Sequence, residues 1–452
     1  MPSRLIMHSR ALFLVCCLCA SIVAFGFPTF RKDPDGCDGT PNPYPLFTEA
    51  PTFVNSTPNG KLYRTGNSSH PMFLLHVYGT PYEKGFAHGQ LLSCQIQELM
   101  LGTNPNRSFW AYIDAQIDPY LEKYVPWLRS FIDKHGVRAA LSLVRDLTKP
   151  YTPQHFEEEI KGLADGSGVD LDTVMLIHMF PELIRAACTM FGAWGEAVSS
   201  GSRSSGPFQI RALDFGTDVP FRFYPVTIVH HPHDAAERPF VILSWTGFVS
   251  SIGTGMSDVM AVSEKKWYTD APMEILPSGY PWHFLLRDIL QFDTSVQLAE
   301  KRIIEAKKTA SIFVGLSSKS DGFTRLVEYG RVLNKEVANI FNDTTPFPGY
   351  APQAEQHPLM PSLVYIDKHT QPSGDWCMAN VLKEKYGSLN AAAAIELMSR
   401  FQTGDIHAAM YDLGNSKFYA SVASQNQEGS IKSAYDMQWW EFDTKALFSE
   451  KP

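Results

Sequence analysis

Residues 188–215 read CTMFGAWGEAVSSGSRSSGPFQIRALDF, two short β-rich runs joined by a linker crowded with Ser and Gly. The pattern predicts two strands and an exposed hairpin loop between them. What lies upstream is different. From Tyr82 to about Met179 apolar residues recur at three and four, as in YEKGFAHGQLLSCQIQELM and HFEEEIKGLADGSGVDLDTVMLIHMF, so this half reads as helical and closes on LIRAA. Downstream, FRFYPVTIVHH, FVILSWTGFV and VMAVSEKKW read as further strands. PWHFLLRDILQF and VQLAEKRIIEAKK then give two helices, the first with Trp282, Leu285, Leu286, Ile289 and Leu290 on one stripe. Strands resume at SIFVGLSS, TRLVEYGRVL, LVYIDKH, HAAMYDL and KFYASVA. Strands, a helical pair and strands again predict a layered α+β domain built on antiparallel sheets rather than a βαβ winding.

With 452 residues, 44% hydrophobic and 19% charged, the chain carries enough apolar surface for a large core. Its formal charge of -8 is spread without a basic stripe, which argues against a nucleic-acid partner. Arg4 and Arg10 precede an apolar run from Ala11 to Phe27, the pattern of an export signal over residues 1–26. The alternative is a retained anchor, for which the run is short against the about 20 residues of a spanning helix. Sequons at Asn55, Asn67, Asn106 and Asn342 agree with a secretory route. Residues 27–70, rich in Pro, Gly, Asn and Thr, read as an extended arm over the surface. Four cysteines remain beyond the signal, Cys37, Cys94, Cys188 and Cys377, too few for a disulfide scaffold.

No GxSxG, HExxH, GxGxxG or Walker A pattern occurs. His230, His231 and His233 read as a surface turn ending a strand, because no carboxylate or cysteine stands at ligand spacing. Neither a metal nor a cofactor is expected. Cys188 stands out by opening a β-run at the point where the helical half ends; its other reading is a buried structural thiol.

The pair Cys188-Thr189 followed by the strand Arg211-Ala212-Leu213-Asp214-Phe215 resembles the acid ceramidase-like and penicillin acyltransferase-like branch of the N-terminal-nucleophile hydrolases. GTPYEKGFAHG (Gly79 to Gly89), GTGMSDVMAVSEK and WWEFDTKALF resemble further segments of that family in the same order, from Gly79 to Phe448. PWHFLLRDILQF, SIFVGL and VYIDKH are similar to a eukaryotic group of secreted acid ceramidase-like proteins. The resemblance implies a four-layer αββα fold with an N-terminal helical region. It further implies a precursor that cuts itself between Ala187 and Cys188 into a fragment 27–187 and a catalytic fragment 188–452.

In such a protein the new α-amine of Cys188 takes the proton of its own thiol, so nucleophile and base are one residue. By resemblance Asp214 hydrogen-bonds the amine, Arg211 orients thiol and substrate, and Glu264 completes the network. The other readings are a structural ion pair for the first two and a solvated strand end for Glu264. A regular strand turns residues three apart to opposite faces, so Arg211 and Asp214 share a pocket only if the strand bends, bulges or ends between them. Relatives place an oxyanion-stabilising Asn after a strand like SIFVGL; here Ser317 and Ser318 stand there.

The resulting expectation is a secreted or lysosomal amidase acting on linear amides, of which N-acyl lipids such as ceramides or N-acylethanolamines are the substrate class the resemblance implies. Peripheral membrane contact goes with such a substrate. Met190, Trp194, Trp245, Phe248 and Met256 are candidates for an acyl pocket. The alternative is a secreted lipid-binding or structural protein of the same fold without turnover. Acid ceramidase-like enzymes join their two fragments by a bridge from an early to a late cysteine, which implies Cys37–Cys377 here; Cys37–Cys94 is the rival pairing.

Overall fold

From Thr52 on, the N-terminal arm is not an arm. β1 (Thr52–Thr57), β2 (Gly60–Thr65) and β3 (Met72–Val77) form an antiparallel meander. The Pro, Asn and Gly that read as loop residues fall mostly in its turns and flanks, and the strands between them are rich in Thr, Val, Tyr and Leu. The computed structural model describes residues 37–66, 70–116, 126–183, 187–199, 206–266, 278–332, 335–347, 349–351, 354–425 and 429–452. The expected signal peptide, residues 1–26, and the sequon at Asn67 lie outside them.

The helical half is as the periodicity predicts: α1 (Pro81–Leu91), α2 (Ser93–Leu101), α3 (Phe109–Gln116), α4 (Pro126–His135), α5 (Val137–Thr148), α6 (Gln154–Ser167), α7 (Leu171–His178) and the short α8 (Phe180–Leu183). Thr80 and Glu83 close a capping box at the start of α1, with Pro81 in its first turn. α1 then lies directly on α6. A Cβ on Gly85 would stand 1.9 Å from the Glu159 carbonyl oxygen, and one on Gly162 2.0 Å from that of Tyr82. The glycine of YEKGFAHG is therefore required by backbone-to-backbone contact.

Beyond residue 187 come β4 (Ala187–Ala193), β5 (Phe208–Asp214), β6 (Pro225–His230), β7 (Phe240–Trp245), β8 (Thr254–Ser257) and β9 (Met260–Lys266), then α9 (Trp282–Phe292) and α10 (Val296–Glu305). β10 (Ile312–Ser318), β11 (Phe323–Val332), β12 (Lys335–Phe341) and β13 (Leu363–Ile366) follow, before α11 (Cys377–Glu384) and α12 (Ala391–Phe401). The chain ends with β14 (His407–Asp412), β15 (Lys417–Val422), the two-residue pair β16 (Ser424–Gln425) and β17 (Ile431–Lys432), β18 (Trp440–Asp443) and α13 (Thr444–Ser449).

Ten strands make one sheet in the order β1-β2-β3-β6-β7-β8-β9-β10-β11-β12, and six make another, β13-β4-β5-β14-β15-β18. Neighbours are antiparallel except β3 and β6. That parallel pair joins a strand from before residue 187 to one from after it, so the two expected fragments share one sheet, and residues 34–452 cluster as one unit.

Strand alternation sorts the core. Ile210 and Ala212 of β5 pack with Val381 of α11 and Leu397 of α12. Gln209 and Arg211 point the other way, to β9 and β10, where the Gln209 amide donates to Ser263 Oγ (2.7 Å) and the Gly315 carbonyl (3.1 Å). Met72, Leu74 and Val241 of the larger sheet meet Ala409, Tyr411 and Phe418 of the smaller one. Other residues of the larger sheet, among them Ile228, Ile242 and Val262, pack with α2, α6 and α9 residues. This mixed helix-and-sheet architecture agrees with the expected antiparallel α+β class.

A disulfide links Cys37 to Cys377 across 340 residues, at the start of α11. Cys94, the partner in the rival pairing, is free and exposed. The buried stripe of α2 is Ile96, Leu99 and Met100, and Cys94 falls off it. Of the described sequons, Asn55 and Asn106 are exposed; Asn342 is half-buried, its side-chain oxygen accepting from the Thr344 hydroxyl at 2.7 Å.

Candidate active site

Cys188 is the second residue of β4, and its side chain is fully buried. The β4–β5 register sets Cys188 opposite Leu213 and Ala187 opposite Asp214. Arg211, two residues along from Leu213 on the same face, donates from Nη2 to Cys188 Sγ at 3.4 Å and to Glu264 Oε2 at 3.2 Å. Its Nε donates to the Glu264 carbonyl at 3.4 Å. Sulfur, guanidinium and carboxylate thus form one buried cluster. Glu264 is therefore no solvated strand end: it is 2% exposed, and the adjacent Lys265 and Lys266 are buried too.

Burial pushes the Cys188 thiol up to about 12, against which Arg211 pulls down and Glu264 pushes further up. In the intact chain Cys188 is a thiol. Burial also raises the Glu264 carboxyl above its ordinary range, with Arg211 acting against it.

Asp214 is the last residue of β5 and faces the other side of the sheet. Its carboxylate accepts from Thr403 Oγ1 and from the Gly404 backbone N–H, each at 2.7 Å, and Thr403 Oγ1 also lies 2.7 Å from Thr189 Oγ1. Burial, reinforced by Asp405, raises Asp214 to about 6. The strand stays regular between Arg211 and Asp214, so the two do not share a pocket; they flank the start of β4 from opposite faces.

The serines are elsewhere. Ser317 Oγ donates to Gln209 Oε1 (2.5 Å) and meets Thr324 Oγ1 (2.7 Å), while Ser318 Oγ meets Ser320 Oγ (2.9 Å). Ser317 pairs with Ala261, three residues along β9 from Glu264, roughly 10 Å at the rise of a strand. Both hydroxyls are thus bonded to neighbours other than Cys188.

One residue the sequence reading missed belongs to the cluster. His407, first in β14, accepts from Arg211 Nη1 at 2.5 Å, and its ring stacks on Trp245 with centroids 5.0 Å apart. Burial and then Arg211 lower its pKa well below the ordinary value, so it is a neutral acceptor. A lone His opening HAAMYDL carries no sequence signal; only its register opposite Leu213 brings it here.

Beside the cluster lies a narrow, mostly apolar cavity whose wall includes Arg211, Glu264, Leu213, Phe221, Trp245 and Phe248. Of the five residues expected in an acyl pocket, Trp245 and Phe248 line it. Met190 instead packs between the sheets with Phe313, with Trp194 against that cluster, and Met256 packs with Leu243. Phe180 and Pro181, shortly before the expected cut, are on the wall as well.

His230 and His231 are not a surface turn. Both are buried, His230 stacking on Phe240 and His231 on Tyr78, and only His233 is exposed. Among the described residues no three His, Cys, Asp or Glu side chains group to hold a metal ion.

A buried thiol set on an arginine–glutamate pair, between two largely antiparallel sheets and next to an apolar cavity, defines a thiol-centred α+β protein. The chain belongs to the family of the Dictyostelium discoideum proteins dcd1A and dcd1B. It is 38% identical to dcd1A over 431 residues, covering 92% of this chain and 94% of dcd1A. To dcd1B it is 39% identical over 428 residues, covering 90% and 81%. No family model matches the chain. Among solved structures, a Caenorhabditis elegans ortholog of N-acylethanolamine-hydrolyzing acid amidase matches 56% of this chain and 100% of its own, with 13% identity and a TM-score of 0.37.

Proposed function

We propose that the protein is a self-processing cysteine amidase of the four-layer αββα kind, exported through the secretory pathway, glycosylated, and active outside the cell or in the lysosome on N-acyl lipid amides. The observation that carries this is the placement of Cys188 Sγ against Arg211 at the first residue of the expected catalytic fragment. The order of the Cys-Thr and Arg-x-x-Asp-Phe segments in the sequence supports it.

In the first step Sγ attacks the Ala187 carbonyl carbon, the Cys188 nitrogen leaves with a proton, and a thioester joins the fragments. Water then hydrolyses the thioester, freeing the Cys188 thiol and the Ala187 carboxylate. The released α-amine, with a reference pKa of ~7.7 to 8.0, takes over the role of base. Arg211 orients the sulfur in both reactions, and Glu264 with His407 holds Arg211. The cavity next to Arg211 suits an apolar acyl chain, which a membrane-borne lipid would present from the bilayer surface.

N-terminal sequencing of the purified protein at neutral and acidic pH tests this reading, with a new terminus at Cys188 expected. Only the uncut chain under every condition, with no acyl-amide turnover, would overturn it. That outcome favours the second reading, a non-catalytic lipid-binding protein. The fully buried thiol, and the bonding of the Ser317 and Ser318 hydroxyls to neighbours other than Cys188, support this alternative.

A further inference from the structure

The wall of the cavity beside Cys188 is built partly by residues 246–253, which join β7 to β8 and contribute Phe248 and Ile252. This stretch has little regular structure of its own to hold it. Gly247 has φ +87° and Ile252 φ +41°, both in the left-handed region. Its backbone is held in part by main-chain bonds, the Thr246 N–H donating to the Tyr224 carbonyl at 2.8 Å and the Phe248 N–H to the Trp245 carbonyl at 3.0 Å, and in part by side chains from three helices. The Gly247 N–H donates to His88 Nε2 of α1 at 3.0 Å, and the Val249 N–H donates to His178 Nε2 of α7 at 3.1 Å. Arg287 of α9 donates from Nη1 to the Val249 carbonyl at 2.6 Å, and its Nη2 is held by Glu159 of α6. His178 donates from Nδ1 to the Val174 carbonyl at 2.7 Å, which fixes its tautomer with Nε2 free to accept. Both histidines are buried, so the two N–H groups have no water to turn to if the rings are removed.

We propose that His88 and His178 are specificity-determining positioning residues: by accepting from alternate backbone N–H groups of 246–253 they hold Phe248 and Ile252 in place and so set which acyl chains the cavity admits. The proposal rests on reading the cavity as the acyl site. It also accounts for the histidine of YEKGFAHG, which α1 brings onto a loop of the other fragment, while the neighbouring glycine lets α1 settle on α6 closely enough to do so.

The test uses the full chain carrying His88→Ala, His178→Ala and the glutamine variants, whose side-chain oxygen reaches about as far as Nε2. Binding of cis-parinaric acid, a fluorescent fatty acid, is measured first, independent of any turnover. Each alanine variant is expected to bind about tenfold more weakly, the loss of one buried hydrogen bond, and each glutamine variant to recover most of that loss. If an alanine variant does not fold, His178→Asn or His88→Asn, polar but too short to reach the loop, replaces it with the same expected loss. Where amides are turned over, KM for a palmitoyl amide should rise well above its rise for a butanoyl amide, with kcat little changed. Folded alanine or asparagine variants that bind parinaric acid like the wild type overturn the proposal, as does a wild type that does not bind it. Binding that responds to the histidines in a protein without turnover sinks the amidase reading and leaves this one standing.

Discussion

Arg211 is the residue on which the site turns. It is 1% exposed and reaches Cys188 Sγ, Glu264 and His407 at once, which needs the several donors of a planar guanidinium. Lysine supplies a point charge and cannot hold all three. Arg211→Lys is therefore expected to slow processing and turnover by roughly a hundredfold, the scale of losing one preorganised donor, and a time course on denaturing gels reads it. Equal rates would remove Arg211 from the mechanism. Glu264→Gln leaves that guanidinium buried without its charge partner and should cost on the order of 3 to 5 kcal/mol in a urea melt. Cys188→Ala should yield one intact chain; two fragments from the pure variant would show that another protease cuts it. Cys188, Arg211 and Glu264 were legible in the sequence because the order of short segments marks them. His407 was not, since strand register alone brings residue 407 opposite residue 213; that Arg211 and Asp214 would face opposite ways along an unbent strand was legible from alternation alone.

At the scale of elements, a helix or strand was legible where its apolar residues repeat strongly, as in PWHFLLRDILQF, which is α9, and QIRALDFG, which is β5. β1 to β3 were hidden by their surroundings: β1 is an edge strand with almost no buried residue, and Pro and Gly crowd its turns. The crossing of α1 and α6 gives an element-scale prediction. Gly162→Ala sets a Cβ against the Tyr82 carbonyl, a contact relieved only by separating the helices, so a loss of roughly 1 to 3 kcal/mol is expected, the range for overpacking. Thermal melts of the variant check it, and an unchanged midpoint would mean the crossing is looser than the structure has it. The Cys37–Cys377 bridge acts on the same scale. In the intact chain it closes a loop of 340 residues, which the chain-entropy account values at roughly 5 to 6 kcal/mol. After a cut at residue 188 it joins two fragments instead. A denaturing gel should then show one band without reductant and two with it, whereas native gel filtration in reductant should still show one species, because β3 and β6 keep the fragments in one sheet.

For the whole molecule the decisive feature is how many histidines are buried uncharged. Burial lowers His70, His76, His178 and His357 to about 4 and His88 and His231 to about 3, against an ordinary value of 6.5. A group whose folded pKa is depressed contributes stability that is present above its unfolded pKa and is lost as pH falls toward the folded one. Each of these six therefore draws the protein toward unfolding by up to about 1.4 kcal/mol per pH unit between 6.5 and 4, because the unfolded chain binds the proton first. Buried carboxyls act in the opposite sense. Burial raises Glu182 to about 7 and Asp214 to about 6, so their contribution is full near pH 4 and disappears as pH rises through 6 to 7. Burial also lowers His230, His283 and His407 well below their ordinary value, and the histidines outweigh these carboxyls even with Glu264 and Glu328, which burial raises too, so the thermal midpoint should fall by several degrees between pH 7 and pH 5. Calorimetry at the two pH values measures it, and a midpoint that holds or rises at pH 5 would show that the rings are not neutral in the folded state. The same experiment on His357→Gln, which removes one titrating ring from its stack on Tyr365, should show a smaller fall.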